Sequence, residues 1–237
     1  MMKTTNVILS FLTCLFPLIA ASNARSTPSP VLNIQADNGK AVDKSDKART
    51  LPELPPGFNN SCVALGNEKA IEIPYAEGDP LFSTPEFTWI LRAKFANPGV
   101  PNLFSPVMGR WFAASNDRSA ALILDPEKKM KYNLSSDGTS QKILSEGCDT
   151  VLPADQWRIF VFCWKAGELA SLSIYGNDGT LLENHKTSPK FILPSIKQVA
   201  LPFRIGAPAN YGMEIKSVKV FDRALATEEL TPELLTK

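Results

Sequence analysis

His185 is the single histidine of this 237-residue chain, so any nucleophile–base pair that uses an imidazole must be built on it. No Gly-x-Ser-x-Gly elbow accompanies it, and it lies in a polar stretch that follows a turn, where a solvated strand residue is the plainer reading. Hydrolysing a glycoside with retention needs two carboxylates about 5 Å apart, which a strand supplies at i and i+2 or i+4 on one face. The nearest approach is Glu146-Gly147-Cys148-Asp149, whose spacing is wrong and whose setting reads as a loop. No His and Cys cluster has metal-ligand spacing, and no Asp-x-Asp-x-Asp-Gly loop marks a calcium site.

Binding chemistry is better supplied than catalytic chemistry. Arg110, Trp111, Asn116, Asp117, Arg118, Asn210 and Tyr211 mix aromatic, amide and charged groups in turn-rich stretches, a combination suited to a polar ligand at a sheet rim. Ordinary loop hydrogen bonding is the competing reading. Phe160, Phe162 and Trp164 alternate along one stretch, where they would either floor a sugar-stacking groove or pack under a second sheet. Large exposed apolar patches are uncommon, which favours packing; Trp164 nevertheless stays in the candidate ligand-binding set.

The elements that must position these groups are short strands. From Trp157, the odd set (Trp157, Ile159, Val161, Cys163) and the even set (Arg158, Phe160, Phe162, Trp164) are both largely apolar, which predicts a central strand covered on both sides. Lys165-Ala166-Gly167-Glu168 turns the chain, and Asn177-Asp178-Gly179 supplies the residues of a positive-φ hairpin turn. Residues 87–95 alternate apolar and mostly polar side chains, as a half-buried strand does. Further strands are predicted over 70–74, 107–112, 120–124, 131–134, 201–206 and 213–221. In the last, Ile215 and Val218 are out of phase, which predicts a β-bulge near Lys216-Ser217. One helical turn with Thr227 as its N-cap is predicted over 224–230. With no long amphipathic helix and many short strands, the pattern is that of an all-β, antiparallel two-sheet sandwich.

Bulk properties limit the partners. With 25 basic and 24 acidic residues, the chain has no electrostatic footprint for nucleic acid or an anionic membrane. Lys3, an apolar run over 7–21 and small residues at Ser22-Asn23-Ala24 read as a cleaved export signal over 1–24, placing the protein outside the cytoplasm, secreted or in the cell envelope. The run is shorter than the about 20 residues a membrane span needs and carries Pro17, so no stable membrane insertion is expected. Residues 25–57 are rich in proline and charge without aromatics, the composition of a disordered linker, in which the apolar patch Val31-Leu32-Asn33-Ile34 could still dock as an edge strand. The folded domain is expected over 58–237. Cys62, Cys148 and Cys163 remain after cleavage; one disulfide among them and three small buried hydrophobes are both open readings.

A resemblance runs through residues 60–231. It is carried by Phe87-Thr88, Ser136-Asp137-Gly138, Trp157-x-x-x-Val161, Tyr175-Gly176-x-x-Gly179 and Ile205-Gly206. Its most specific part is the closing block Gly212-x-x-Ile215-x-x-Val218-x-Val220-Phe221-Asp222-Arg223-Ala224-Leu225-x-x-Glu228-Glu229. The chain resembles the laminin-G-like jelly rolls of the concanavalin-A-like lectin and glucanase superfamily. Cys163-Trp164 is similar to the pentraxin branch, in which that cysteine pairs with one on the Phe-Thr strand; residues 87–95 hold none here. Ala226 also stands where the family has a capping serine.

The resemblance implies a jelly-roll sandwich. Members often hold calcium at the rim, and Asn116-Asp117 and Asn177-Asp178 are the oxygen donors such a site would draw on, although Asx turns are their other role. The glucanases of this fold carry a Glu-x-Asp-x-x-Glu run that is absent here. The expectation is therefore a non-catalytic module for glycan or a protein surface. A divergent glycoside hydrolase or lyase and a structural envelope or matrix component are the alternatives.

Overall fold

Alternation of apolar side chains along extended segments dictates the architecture, since successive residues of a strand point to opposite faces. The structure, a computed structural model, describes residues 28–37, 40–51, 62–65, 70–82, 85–96, 104–206 and 212–237. In chain order the strands are β1 (Leu32–Asp37), β2 (Lys40–Asp43), β3 (Val63–Leu65), β4 (Ile71–Ile73), β5 (Glu86–Phe95), β6 (Ser105–Phe112) and β7 (Asp117–Leu124). They continue with β8 (Lys129–Ser135), β9 (Ile143–Val151), β10 (Arg158–Lys165), β11 (Ser171–Gly176), β12 (Leu181–Lys186), β13 (Phe203–Ile205) and β14 (Met213–Phe221), before a short helix α1 (Pro232–Thr236). Two antiparallel sheets stack as a sandwich. The eight-stranded sheet runs β12-β11-β10-β5-β14-β1-β2, with β3 also on β14, and the six-stranded one runs β4-β13-β6-β7-β8-β9.

The centre is aromatic. Phe87, Trp89, Leu91, Ala93 and Phe95 of β5 and Phe160, Phe162 and Trp164 of β10 fill the space between the sheets. Trp89 meets Phe162 and Phe203 edge-on at 5.5 and 5.2 Å, and Tyr132 from the facing sheet stacks on Phe162 at 4.9 Å. Each such side chain contributes about 1.5–3 kcal/mol by leaving water. The other face of β10 is covered as well: Ile159 and Val161, with Ile90, Tyr175 and Phe221, lie under Leu225, Leu234 and Leu235 of the C-terminal segment. The central strand covered on both sides is therefore present. So are the bulge, seen as a register shift between Ile215 and Ser217, and the hairpin turn, where Gly179 has φ +86°.

Three expectations give way, and one of two open readings is chosen. The flexible tether over 25–57 fails for its described part: β1 pairs with β14, and Leu32 and Ile34 enter the main core. Several charges of this segment pair with each other and with the body. Asp43 accepts from the amides of Asn33 and Ser45, each at 3.0 Å, while Arg49 spans to Asp79 at 2.8 Å. The loop-like setting of Glu146-Gly147-Cys148-Asp149 is instead strand β9, and its glycine has a steric cause. A Cβ on Gly147 would sit 2.5 Å from the Met130 carbonyl oxygen where β8 and β9 shift register.

The helical turn is displaced in the same way. A 3₁₀ turn spans Thr227–Glu229 with Ala226, not Thr227, at its N-cap. Glu229 accepts the Ala226 amide at 3.0 Å and holds Arg223 in a bidentate pair at 2.7 and 2.9 Å, replacing the missing serine. Finally, no disulfide joins Cys62, Cys148 and Cys163, and the Cys62 thiol donates to Glu214 Oε2 at 2.9 Å. Thr88 stands opposite Cys163 and meets its sulfur at 3.4 Å, and the Cys148 thiol donates to the Leu172 carbonyl at 3.4 Å.

Candidate functional site

The β6–β7 hairpin gathers most of the rim residues singled out in the sequence. Asn116 adopts φ +57° in its turn, a conformation asparagine tolerates better than most residues. Arg118 donates to Asn116 Oδ1 at 2.8 Å, to the Gly138 carbonyl at 3.1 Å and to the Ala113 carbonyl at 2.7 Å. Its guanidinium lies 5.9 Å from the centre of the Trp111 ring. Asp117 accepts from the Ser115 hydroxyl at 2.6 Å and faces Lys197 at 3.5 Å; the hydroxyl first and the lysine next hold its carboxyl below the usual range. Phe112 at the tip is exposed. The hairpin is thus a self-satisfied turn.

Two other predicted residues turn inward. Arg110 is only 1% exposed, donating to the Phe82 carbonyl at 3.1 Å and reaching Gln198 Oε1 at 3.5 Å. Burial pulls its guanidinium down to about 10. Trp164 is also 1% exposed, and its ring packs against Phe87 in the core. Asn210 and Tyr211 lie outside the described residues.

The candidate calcium donors have other partners. The Asn177 side-chain oxygen accepts from Arg92 of β5 at 2.7 Å, and Asp178 accepts the Thr180 amide within the hairpin turn at 3.0 Å. Among the described residues no cluster of His, Cys, Asp and Glu could hold a metal ion.

Open binding space lies elsewhere, along β9. A cleft of about 460 Å³ is lined by Ser136, Lys142, Ser145 and Glu146 on one side and by Lys190 and Phe191 on the other. The second wall is held rigidly. Pro189 starts a 3₁₀ turn in which the Phe191 amide donates to the Ser188 carbonyl at 2.9 Å. Beyond it, the Leu193 carbonyl accepts the Gly167 amide at 2.9 Å and the Lys197 amide donates to the Ser135 carbonyl at 2.8 Å. Phe191 remains 53% exposed on this pinned turn.

Glu146 is the acid of the cleft. Its Oε2 meets His185 Nε2 at 3.1 Å and accepts from the Ser188 amide at 3.3 Å and the Tyr132 hydroxyl at 3.4 Å. Its Oε1 has no protein partner among the described residues. Glu183, two residues before His185 on β12, accepts the Asp149 and Thr150 amides of β9 at 2.8 and 2.9 Å. Together Glu183 and His185 clasp the edge of one sheet to the edge of the other. The sequence marked Glu146 and His185 separately; it offered no sign that they meet. Phe191 went unnoticed, although an aromatic one residue after a Pro-Lys turn start is the signal that marks it.

These elements define a two-sheet antiparallel β-sandwich. The receptor-binding domain of botulinum neurotoxin C/D mosaic serotype is similar, with a TM-score of 0.64 and 14% identity over 85% of this chain and 50% of that one. The ligand-binding domain of botulinum neurotoxin serotype D in complex with N-acetylneuraminic acid matches at 0.61 and 13%, over 85% and 49%. The binding domain of botulinum neurotoxin DC in complex with rat synaptotagmin II matches at 0.63 and 12%, over 87% and 51%. The chain spans about half the length of these solved structures. No protein-family model and no curated protein matches the sequence.

Proposed function

We propose that this chain is an exported, non-catalytic carbohydrate-binding module that holds a sugar in the cleft between β9 and the 190–193 turn. The observation that carries this reading is Phe191, an exposed ring on a pinned turn, lining the same cleft as Glu146, whose Oε1 has no protein partner among the described residues. Sugars offer apolar C–H faces to aromatic rings and hydroxyls to carboxylates, and the Ser136 and Ser145 hydroxyls and the Lys142 and Lys190 ammoniums complete a polar set. Structural neighbours that are binding domains support a binding role, one of them holding N-acetylneuraminic acid.

Three further points bear on the reading. Glu146 is the one carboxylate lining the cleft, and its partners are His185, Tyr132 and Ser188 rather than a second acid, which favours binding over glycoside hydrolysis. The apolar run over 7–21 supports export. Among the described residues no helix is long and apolar enough to cross a membrane. The closing block of the laminin-G-like resemblance falls on β14 and the turn after it, and we assign the chain to that lineage.

Calorimetry of the chain against a panel of neutral and acidic oligosaccharides tests the reading. Single-site binding is expected, weakened at least tenfold in Phe191→Ala, with no release of reducing ends from the bound sugar. A panel without binders, or a Phe191→Ala protein that binds as tightly as the parent, would overturn it.

A further inference from the structure

The outer face of the eight-stranded sheet divides into an apolar half under the C-terminal segment and a basic half beside it. On β5 the odd residues enter the core, so Arg92 and Lys94 point outward. On the neighbouring β14 both Ile215 and Val218 enter the core, and the bulge between them takes up the additional residue. Bulges re-aim side chains. Here the re-aimed residue is Lys216, whose Nζ lies 4.6 Å from the Trp157 ring centre, with Lys94 Nζ 5.6 Å from the same ring.

The charges of this face are cancelled at Lys94, which lies near Glu214 and Asp155, and not at its other cations. Lys94 pairs with Glu214 at 3.0 Å. Arg92 gives its donors to neutral acceptors, Asn177 Oδ1 at 2.7 Å and the Thr236 carbonyl, and the Lys219 ammonium bonds the Leu234 carbonyl. Lys216 makes no hydrogen bond or ion pair among the described residues. Burial, then Arg92 and Lys94, pulls Lys216 below the usual lysine range; burial, then Arg92, brings Lys219 down to about 8. Like charges are being held together at a cost, beside a half-buried indole.

We propose that this face is a second binding site, specific for a polyanionic polysaccharide such as a sulfated glucan, with Lys216 as the direct ionic contact and Trp157 as the platform beside it. Alternate outward positions on a strand lie about 7 Å apart, so the Arg92 guanidinium, whose acceptors are neutral, sits one step along β5 from the Lys94–Glu214 pair and next to the bulge that carries Lys216. None of the exposed large apolar side chains lies on β5, on β14 or at Trp157, which disfavours insertion into a bilayer. No residue of the face lines the β9 cleft, so the site stands whether or not the cleft holds a sugar.

Calorimetry of the full chain with dextran sulfate, uncharged dextran and phosphatidylserine vesicles tests it. Dextran sulfate is expected to bind, and more weakly as salt rises, while dextran and vesicles do not. Lys216→Gln should lower the affinity at least fivefold and reduce the salt slope by about one ion, as counterion release predicts. Lys216→Arg should retain binding, and Lys40→Gln, which removes an exposed lysine from β2, should leave it unchanged. Lys216→Gln binding like the parent, Lys40→Gln losing as much as Lys216→Gln, or vesicles binding in a Lys216-dependent way would each overturn the proposal.

Discussion

The β6–β7 hairpin and the β9 cleft are both polar, and only the cleft has groups left over for a ligand. In the hairpin Arg118 is satisfied by residues two, five and twenty positions away, and Asp117 by a serine two residues back. In the cleft Glu146 is fixed by partners 39 and 42 residues on, and those partners reach only one of its oxygens. Polar side chains that are near in sequence meet each other first, because turn geometry aims them at one another. Unspent hydrogen-bonding capacity collects where distant segments converge.

Substitutions at the two places should therefore have opposite signatures. Arg118→Ala strips charge-assisted bonds from a buried fork and is expected to cost about 2–3 kcal/mol of stability. That is several degrees in thermal midpoint, with sugar affinity unchanged; an affinity loss of similar size would erase the contrast. Phe191→Ala should do the reverse, weakening sugar binding about tenfold, or about 1.4 kcal/mol, while the midpoint moves little.

Acid should sharpen the comparison by loosening the cleft before the hairpin. Burial raises the Glu183 carboxyl, but the Thr150 and Asp149 amides outweigh it and leave its value below the ordinary 4.5. A carboxyl depressed on folding contributes stability that is present above that ordinary value and is lost as pH falls beneath it. Hydrogen-exchange protection of the Asp149 and Thr150 amides is expected to fall below about pH 4.5 in the parent and to stay flat in Glu183→Gln. The smallest effect concerns sulfur. Reductant should not move the thermal midpoint, and Cys148, pushed up to about 12 by burial, should resist alkylation at pH 8 in the folded protein.

The main features of the sandwich were legible because they follow from period two. Both faces of β10, the positive-φ turn at Asn177-Asp178-Gly179 and the bulge at Lys216 were readable in local order. What was not legible depends on partners far along the chain. Strand β9 hides behind Glu146, Gly147 and Asp149, whose polarity is answered by β12 and whose glycine answers a close approach of β8. The segment before residue 52 looks solvated until Arg49 is seen between Asp43 and Asp79. Of the site, Glu146 and His185 were visible as residues, but their meeting and the role of Phe191 required the fold.

Strand β1 begins at Leu32, paired with Val220 near the point where β14 ends, so the flanking chain segments leave from the same end of one antiparallel ladder. A tensile load applied through those segments would open that ladder like a zipper, one rung at a time, rather than shear all of its hydrogen bonds together. The six-stranded sheet, with β9 and most of the cleft, lies outside that path of force. The grip on a ligand should therefore survive tugging that has already peeled β1 away.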